Sequence, residues 1–352
     1  MNAMTKSHPG IRPDPIRPII SIGTINVDQL MGPIADWPQP GTETVYPDYE
    51  MRIGGGCGNF GAALMALDAH QHIVVNVGKD AMGDWLCEQF GPLADHWHRS
   101  DTVTSVTFGL THPDKERTFL SNEGHSSIFD AKMVREMLSE TRVDGAIALF
   151  VGTFLMPGLL PDCASLMKEL HDSGAIVALD TAWPTGGWSD DVQTHLESWL
   201  GYVDILLIND AEASGILGIA QTEFARDIET YLARIADKLP SDAIIVVKRG
   251  AAGATAFAGG NILHVPVPGP VDVVDTVGAG DCFNAGFLMA LQMQAALPDA
   301  LRAGIEVAGK AIASNPRKYP EISDLCPDVA AVLSAPVPTG EEIMTFDQVE
   351  NS

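Results

Sequence analysis

The segment Asp275-Thr276-Val277-Gly278-Ala279-Gly280-Asp281 brackets two glycines between carboxylates, and the apolar stretch 282–291 follows it. Gly278 and Gly280 let the backbone turn sharply and approach a ligand closely. A helix starting here aims free N–H groups outward at its positive end, a setting for a phosphate. Asp281 then falls in the first turn, placed to take a proton from a hydroxyl that attacks a phosphoryl group. The same residues also read as a glycine turn followed by a helix-capping aspartate.

Four further segments carry candidate chemistry. Asn209 and Glu212 follow the apolar run 203–208 and share a face if a helix begins there. An amide and a carboxylate aimed together suit a hydrated Mg²⁺ at the phosphates of ATP; a plain helix cap is the competing reading. Lys248, Gly250 and Gly253 lie in a glycine turn after another apolar run, able to lie against a nucleotide or to be an ordinary turn. Asn26 and Asp28, past the first apolar run, offer an amide and a carboxylate to sugar hydroxyls, or form a polar turn. Gly54, Gly55 and Asn59 suit a close backbone approach to a polyhydroxyl substrate. Gly56, Gly58 and Gly61 formally match a dinucleotide-binding loop, with Asp80 further on. Such a loop follows a buried apolar strand, whereas 43–53 carries Asp48, Glu50 and Arg52. The oxidoreductase reading is set aside on that ground.

The elements that must position these residues alternate. Strands are expected at 19–23, 74–77, 146–152, 175–180, 203–208, 244–248 and 254–258. Helices are expected near 59–70, 81–94, 158–173, 189–200, 210–216, 222–238, 279–295, 299–314 and 321–334. This order predicts an α/β fold, a mostly parallel sheet with helices on both faces. The half-polar segments from about 30–53 and 103–121 do not fit inside such a sheet and are expected to form a small β-strand lid, the second as a hairpin. Residues 1–18 read as a flexible leader, 19–340 as one α/β domain and 341–352 as an acidic tail.

Composition narrows the functional classes. The 352-residue chain has a formal net charge of -25, which opposes binding to nucleic acid or to anionic membranes. ATP remains possible, since backbone amides and Mg²⁺ can hold it. Cys57, Cys87, Cys163, Cys282 and Cys326 are odd in number and form no C-x-x-C, so a reducing, cytoplasmic setting is expected rather than a disulfide framework. No stretch has the pattern of a signal peptide or the length of a membrane span.

Taken in order, the segments resemble the ribokinase-like carbohydrate kinases, the phosphofructokinase B family. The likeness rests on Asn-x-Asp at 26–28, Gly-Gly-x-x-x-Asn at 54–59, Val-Gly-x-Asp-x-x-Gly at 77–83, Asn-x-x-Glu at 209–212 and Asp-Thr-x-Gly-Ala-Gly-Asp at 275–281. It runs from about residue 19 to about 315. The resemblance implies an ATP-dependent sugar kinase with Asp281 as base and the Gly278, Ala279 and Gly280 amides as anion hole. It implies that Asp28, Gly55 and Asn59 hold the sugar, and that Asn209 and Glu212 organise Mg²⁺. It further implies a monovalent cation such as K⁺ at Asp275 and the Val277 carbonyl, and a homodimer paired through the lid strands. Two departures stand out: 146–152 lacks the glutamate of ribokinases proper, and 314–320 differs from their usual ending. A nucleoside kinase and a catalytically silent sensor on the same fold are the alternatives. A phosphosugar acceptor is less favoured, because Arg52, Lys115 and Arg117 are the lid's only cations.

Overall fold

The computed structural model describes residues 11–335, apart from 35–36, 38, 47 and 113–116. The acidic tail, the first ten residues and Lys115 lie outside the described residues.

The strands in chain order are β1 (Ile19–Gly23), β2 (Asn26–Gly32), β3 (Asp48–Gly54), β4 (Gln71–Val74), β5 (Asn76–Gly78), β6 (His98–Ser100), β7 (Val106–Thr111) and β8 (Arg117–Ser121). They continue with β9 (Ile147–Val151), β10 (Ile176–Asp180), β11 (Ile205–Asn209), β12 (Ile244–Lys248), β13 (Ala254–Ala258) and β14 (Asn261–Val265). Among the described residues the main sheet runs β14-β13-β12-β11-β10-β9-β1-β4. It is parallel from β12 to β4 and antiparallel at β13 and β14.

The fully buried, β-branched and leucine-rich strands are those of a sheet covered on both sides. Successive residues point to opposite faces. Ile147, Leu149 and Val151 enter one core with Phe60 and Phe287, while Ala148 and Phe150 enter a second with Trp199 and Phe224. The helices Gly56–Ala66, Ala279–Gln292 and Leu297–Ile312 cover the first face; Cys163–Asp172 and Asp190–Leu200 cover the second. Parallel packing lines up the carboxyl ends of the strands, so Asp180, Asn209 and Lys248 come out at one edge.

A second sheet, β3-β2-β7-β8, forms the expected lid. Asn26 and Asp28 lie on its strand β2 and not in a turn after β1, a correction to that alternative. The hydrophobic run 74–77 is two strands, because the chain leaves the main sheet after Val74 to pair β5 with β6. The edge strand β14 and the helix Ala131–Leu138 add to the expected elements. The leader is corrected for residues 11–18. Ile11 joins the core, and the Asp14 amide donates to the Gly145 carbonyl at 2.8 Å.

Candidate active site

The helix Ala279–Gln292 starts from Gly278, whose φ of +75° is a left-handed conformation. Glycine adopts it freely, and here it also makes room: a Cβ on Gly278 would lie 3.0 Å from the Asn59 side chain. The Ala279 N–H is turned back to the Thr276 carbonyl at 3.1 Å. The Gly278, Gly280 and Asp281 amides have no protein acceptor among the described residues. They are the free donors of a helix N-terminus, suited to a phosphoryl group.

Asp281 stands in the first turn beside these amides, and Asn59 Nδ2 donates to its Oδ2 at 3.0 Å. Asn59 comes from the helix Gly56–Ala66 and is itself oriented by the Tyr319 hydroxyl, which donates to Asn59 Oδ1 at 2.9 Å. Burial pushes the Asp281 carboxyl up to about 8, and the nearby Asp180 adds to this; Lys248 and Asn59 oppose it.

Behind Asp281, Lys248 Nζ lies 2.5 Å from Asp180 Oδ2, and Asn284 Nδ2 donates to the same oxygen at 2.6 Å. Burial alone would lower the Lys248 pKa, but Asp180 and Glu212 hold it above its ordinary value. Glu212 is pushed up to about 7 by burial and by Asp180. Three carboxyl groups, Asp180, Glu212 and Asp281, thus lie around one ammonium, and the repulsion from Asp180 helps to hold the other two up. Among the described residues no three His, Cys, Asp or Glu side chains converge as a metal cage. The donor set fits Mg²⁺, which keeps several waters and takes one or two carboxylates alongside substrate phosphates.

Asn209 and Glu212 are brought together as a reciprocal cap. The Asn209 amide donates to Glu212 Oε2, and the Glu212 amide to Asn209 Oδ1, both at 2.8 Å. The capping alternative therefore describes Asn209 correctly, while Glu212 also faces the Asp180–Lys248 cluster. Gly250 and Gly253 shape the turn between β12 and β13; Gly253 packs against the Val265 carbonyl, and space around Gly250 is open. Asp180, Asn284, Tyr319 and Arg317 were missed by motif reasoning. Asp180 alone carried a signal: it closes an apolar strand, as Asn209 and Lys248 do.

On the lid, Asn26 Nδ2 donates to Asp28 Oδ1 at 2.7 Å and to Thr107 Oγ1 at 3.2 Å. Burial raises Asp28 to about 6, against the pull of Asn26 and Arg52. A Cβ on Gly54 would fall 2.2 Å from Asp28 Oδ1, so only glycine leaves that carboxylate its place. The cross-strand register puts Glu50, Arg52, Asp28, Leu30, Thr107 and Phe119 on one face.

Three guanidinium groups meet at Asp275. Arg52 Nη1 donates to Oδ2 and Arg117 Nη1 to Oδ1, both from lid strands. Arg317 Nη2 is 3.2 Å from Oδ2. Burial pushes Asp275 up, but the hydrogen bonds from Arg117, Arg52 and the Val277 amide win and hold it well below the usual carboxylate range.

The family model described as pfkB family carbohydrate kinase matches residues 19–317. A ribokinase of Arabidopsis thaliana is 29% identical over 284 residues, 78% of this chain and 70% of the relative. An ATP-dependent ribose-1-phosphate kinase of Halopiger xanaduensis is 26% identical over 277 residues, 77% of this chain and 83% of the relative. The structure of Arabidopsis thaliana ribokinase complexed with ribose and ATP superposes with a TM-score of 0.72 at 21% identity, over 93% of this chain and 100% of that one.

Proposed function

Because the chain belongs to the pfkB family of carbohydrate kinases, we propose that it transfers the γ-phosphoryl group of ATP to a hydroxyl of a monosaccharide, with Asp281 as the general base. The observation that carries this reading is the buried Asp281 carboxylate, aimed by Asn59 and set beside the free amides of Gly278 and Gly280. A base there can receive the proton as the acceptor oxygen attacks, while the amides stabilise the transferring group's negative charge.

Phosphoryl transfer needs positioning and electrostatic stabilisation more than covalent help. Mg²⁺, when bound with ATP, neutralises phosphate charge. Asp180 and Glu212 would hold it through water, with Asn209 fixing Glu212. Lys248 would balance the carboxylates and face the phosphates. Asn26, Asp28, Asn59 and the backbone at Gly54 and Gly55 would bind the acceptor's hydroxyls. Asp28, pushed up to about 6, accepts such hydrogen bonds when ionised. The lid shuts water out, so the acceptor rather than water attacks.

The outer part of the lid's other face exposes Tyr49, Phe108 and Leu120, which supports a homodimer formed through the lid. Phe119 is exposed on the acceptor face; an aromatic ring there could cover a base, which supports a nucleoside as the second reading. ATP turnover screened against monosaccharides and nucleosides separates the two. Turnover with no acceptor in either class would remove the kinase reading.

A further inference from the structure

The family likeness puts a monovalent cation at Asp275 and the Val277 carbonyl, and the residues present do not fit one. A K⁺ site is built from oxygen atoms that replace the ion's hydration shell. Here those oxygens are already engaged. Arg317 Nη1 donates to the Val277 carbonyl at 2.8 Å and Nη2 to the Asp275 carbonyl at 2.8 Å. The same Nη2 lies 3.2 Å from Asp275 Oδ2. Arg52 and Arg117 take the rest of that carboxylate. A further positive ion would share the space with three guanidinium groups and be repelled by each.

Arg317 is built into the fold rather than laid on it. Its side chain is 3% exposed, its backbone amide donates to Glu50 Oε1 at 3.2 Å, and its planar fork reaches both carbonyls at once. A lysine ammonium, a point charge on a flexible stem, lacks that fork.

The bonded carbonyls are informative because the peptide unit is planar and trans, so its C=O and N–H point in opposite directions. Pulling the Val277 oxygen toward Arg317 turns the Gly278 N–H away from it, toward the helix N-terminus where the free amides gather. The Asp275 carbonyl, held by the same guanidinium, fixes the start of the turn.

We propose that Arg317 is an internal replacement for the monovalent cation: a positioning residue that sets the 275–278 turn and its anion hole, so that this enzyme works without K⁺ or Na⁺. This rests on the kinase reading above, but one arm of the test does not. Wild-type protein is melted with Mg·ATP in tetramethylammonium chloride and in KCl at equal ionic strength. Any ion that binds the folded state selectively raises its melting temperature. The expected result is no difference. A K⁺-specific rise would overturn the proposal, whatever the acceptor.

The second arm measures ATP turnover with the best acceptor from the screen. Wild-type kcat is expected to be the same in both salts. Arg317→Ala is expected to lose about tenfold or more in kcat, with acceptor KM little changed, and to regain rate when guanidinium chloride at sub-denaturing concentration or KCl is added. A wild-type rate that climbs saturably with K⁺ overturns the idea. So does an Arg317→Ala protein that keeps full rate in tetramethylammonium and ignores added cations. If that variant does not fold, Arg317→Lys keeps the test decisive: it is expected to fold with reduced kcat, and full kcat in it would overturn the need for the two-carbonyl bridge.

Discussion

The side-chain amide of Asn59 spans Tyr319 and Asp281, accepting a hydrogen bond from the hydroxyl at 2.9 Å and donating one to the carboxylate at 3.0 Å. The tyrosine's donation fixes which end of the amide faces the aspartate. Asp281 is therefore met by a donor, which favours its ionised form.

Asp281→Asn is expected to lower turnover roughly 10²–10⁴-fold, the usual worth of a general base, while ATP still binds. Steady-state rates with the best acceptor, together with calorimetric ATP titration, check this. A rate near the wild type's would falsify the assignment.

The pH profile carries the same carboxyl. A base works when deprotonated, and burial pushes Asp281 up to about 8. In the free enzyme kcat/KM is expected to climb with pH and level off above that value. Asn59→Leu removes the donor that lowers the pKa, so its profile is expected to shift to higher pH. Profiles that superimpose would show that Asn59 does not tune Asp281.

Stability is linked to the same ionisation. Because the folded-state pKa is raised, the native protein binds more protons than the unfolded chain between about pH 4 and pH 8, and ionising Asp281 progressively costs stability as pH rises through that window. Asparagine carries no such penalty. The melting temperature of Asp281→Asn minus that of the wild type is expected to grow across the window. A difference that stays flat by calorimetry would show that the carboxyl is not held up by burial.

Asp275 ties the lid strands to the 275–278 turn. Asp275→Asn would leave Arg52, Arg117 and Arg317 without their shared anion, and breaking a buried pair from one side costs about 3–5 kcal/mol. Denaturant titration at neutral pH is expected to show a loss of that size. A change under about 1 kcal/mol, the worth of a surface ion pair, would mean that the cluster is solvated.

The lid's outer face leads to a prediction about assembly. Phe108 and Leu120 are cross-strand partners and both are exposed, the pattern of a surface that pairs with another copy. Sedimentation is expected to show a dimer for the wild type and a monomer for Phe108→Asp. ATP hydrolysis without acceptor is expected to be much slower than acceptor phosphorylation; rapid hydrolysis would remove the water-exclusion role of the lid.

The sequence made the fold legible wherever period and punctuation agreed. Apolar runs such as 146–152 and 203–208 were bounded by turn residues, and the half-polar segments at about 30–53 and 103–121 announced a separate sheet by their pattern. Position along the chain was the harder matter. For Asn26 and Asp28 a polar turn stayed open as the alternative to sugar contacts because they follow β1 so closely, yet they begin a strand of a different sheet. The site was legible where a motif compresses it, as at 278–281. Asp180, Asn284 and Arg317 arrive from strands, helices and loops far apart in sequence, and spacing holds no trace of such meetings. Arg317 lies in the segment 314–320, whose departure from the family's usual ending gave no sign of its role, and its meaning appears once the carbonyls it holds are in view.

The division between the two sheets has a consequence for how this chain can change. Residues proposed to face the acceptor lie mainly on 26–59 and 106–121, whereas those proposed for the phosphate site lie mainly on 180–284. On the proposed function the molecule is written as two texts, one naming the acceptor and one performing the transfer. Substitutions in the first can redirect the enzyme to a new hydroxyl while the second stays unaltered. Asp275 is the hinge of that freedom: any exchange of lid sequence must keep arginines at 52 and 117, or the two texts no longer meet.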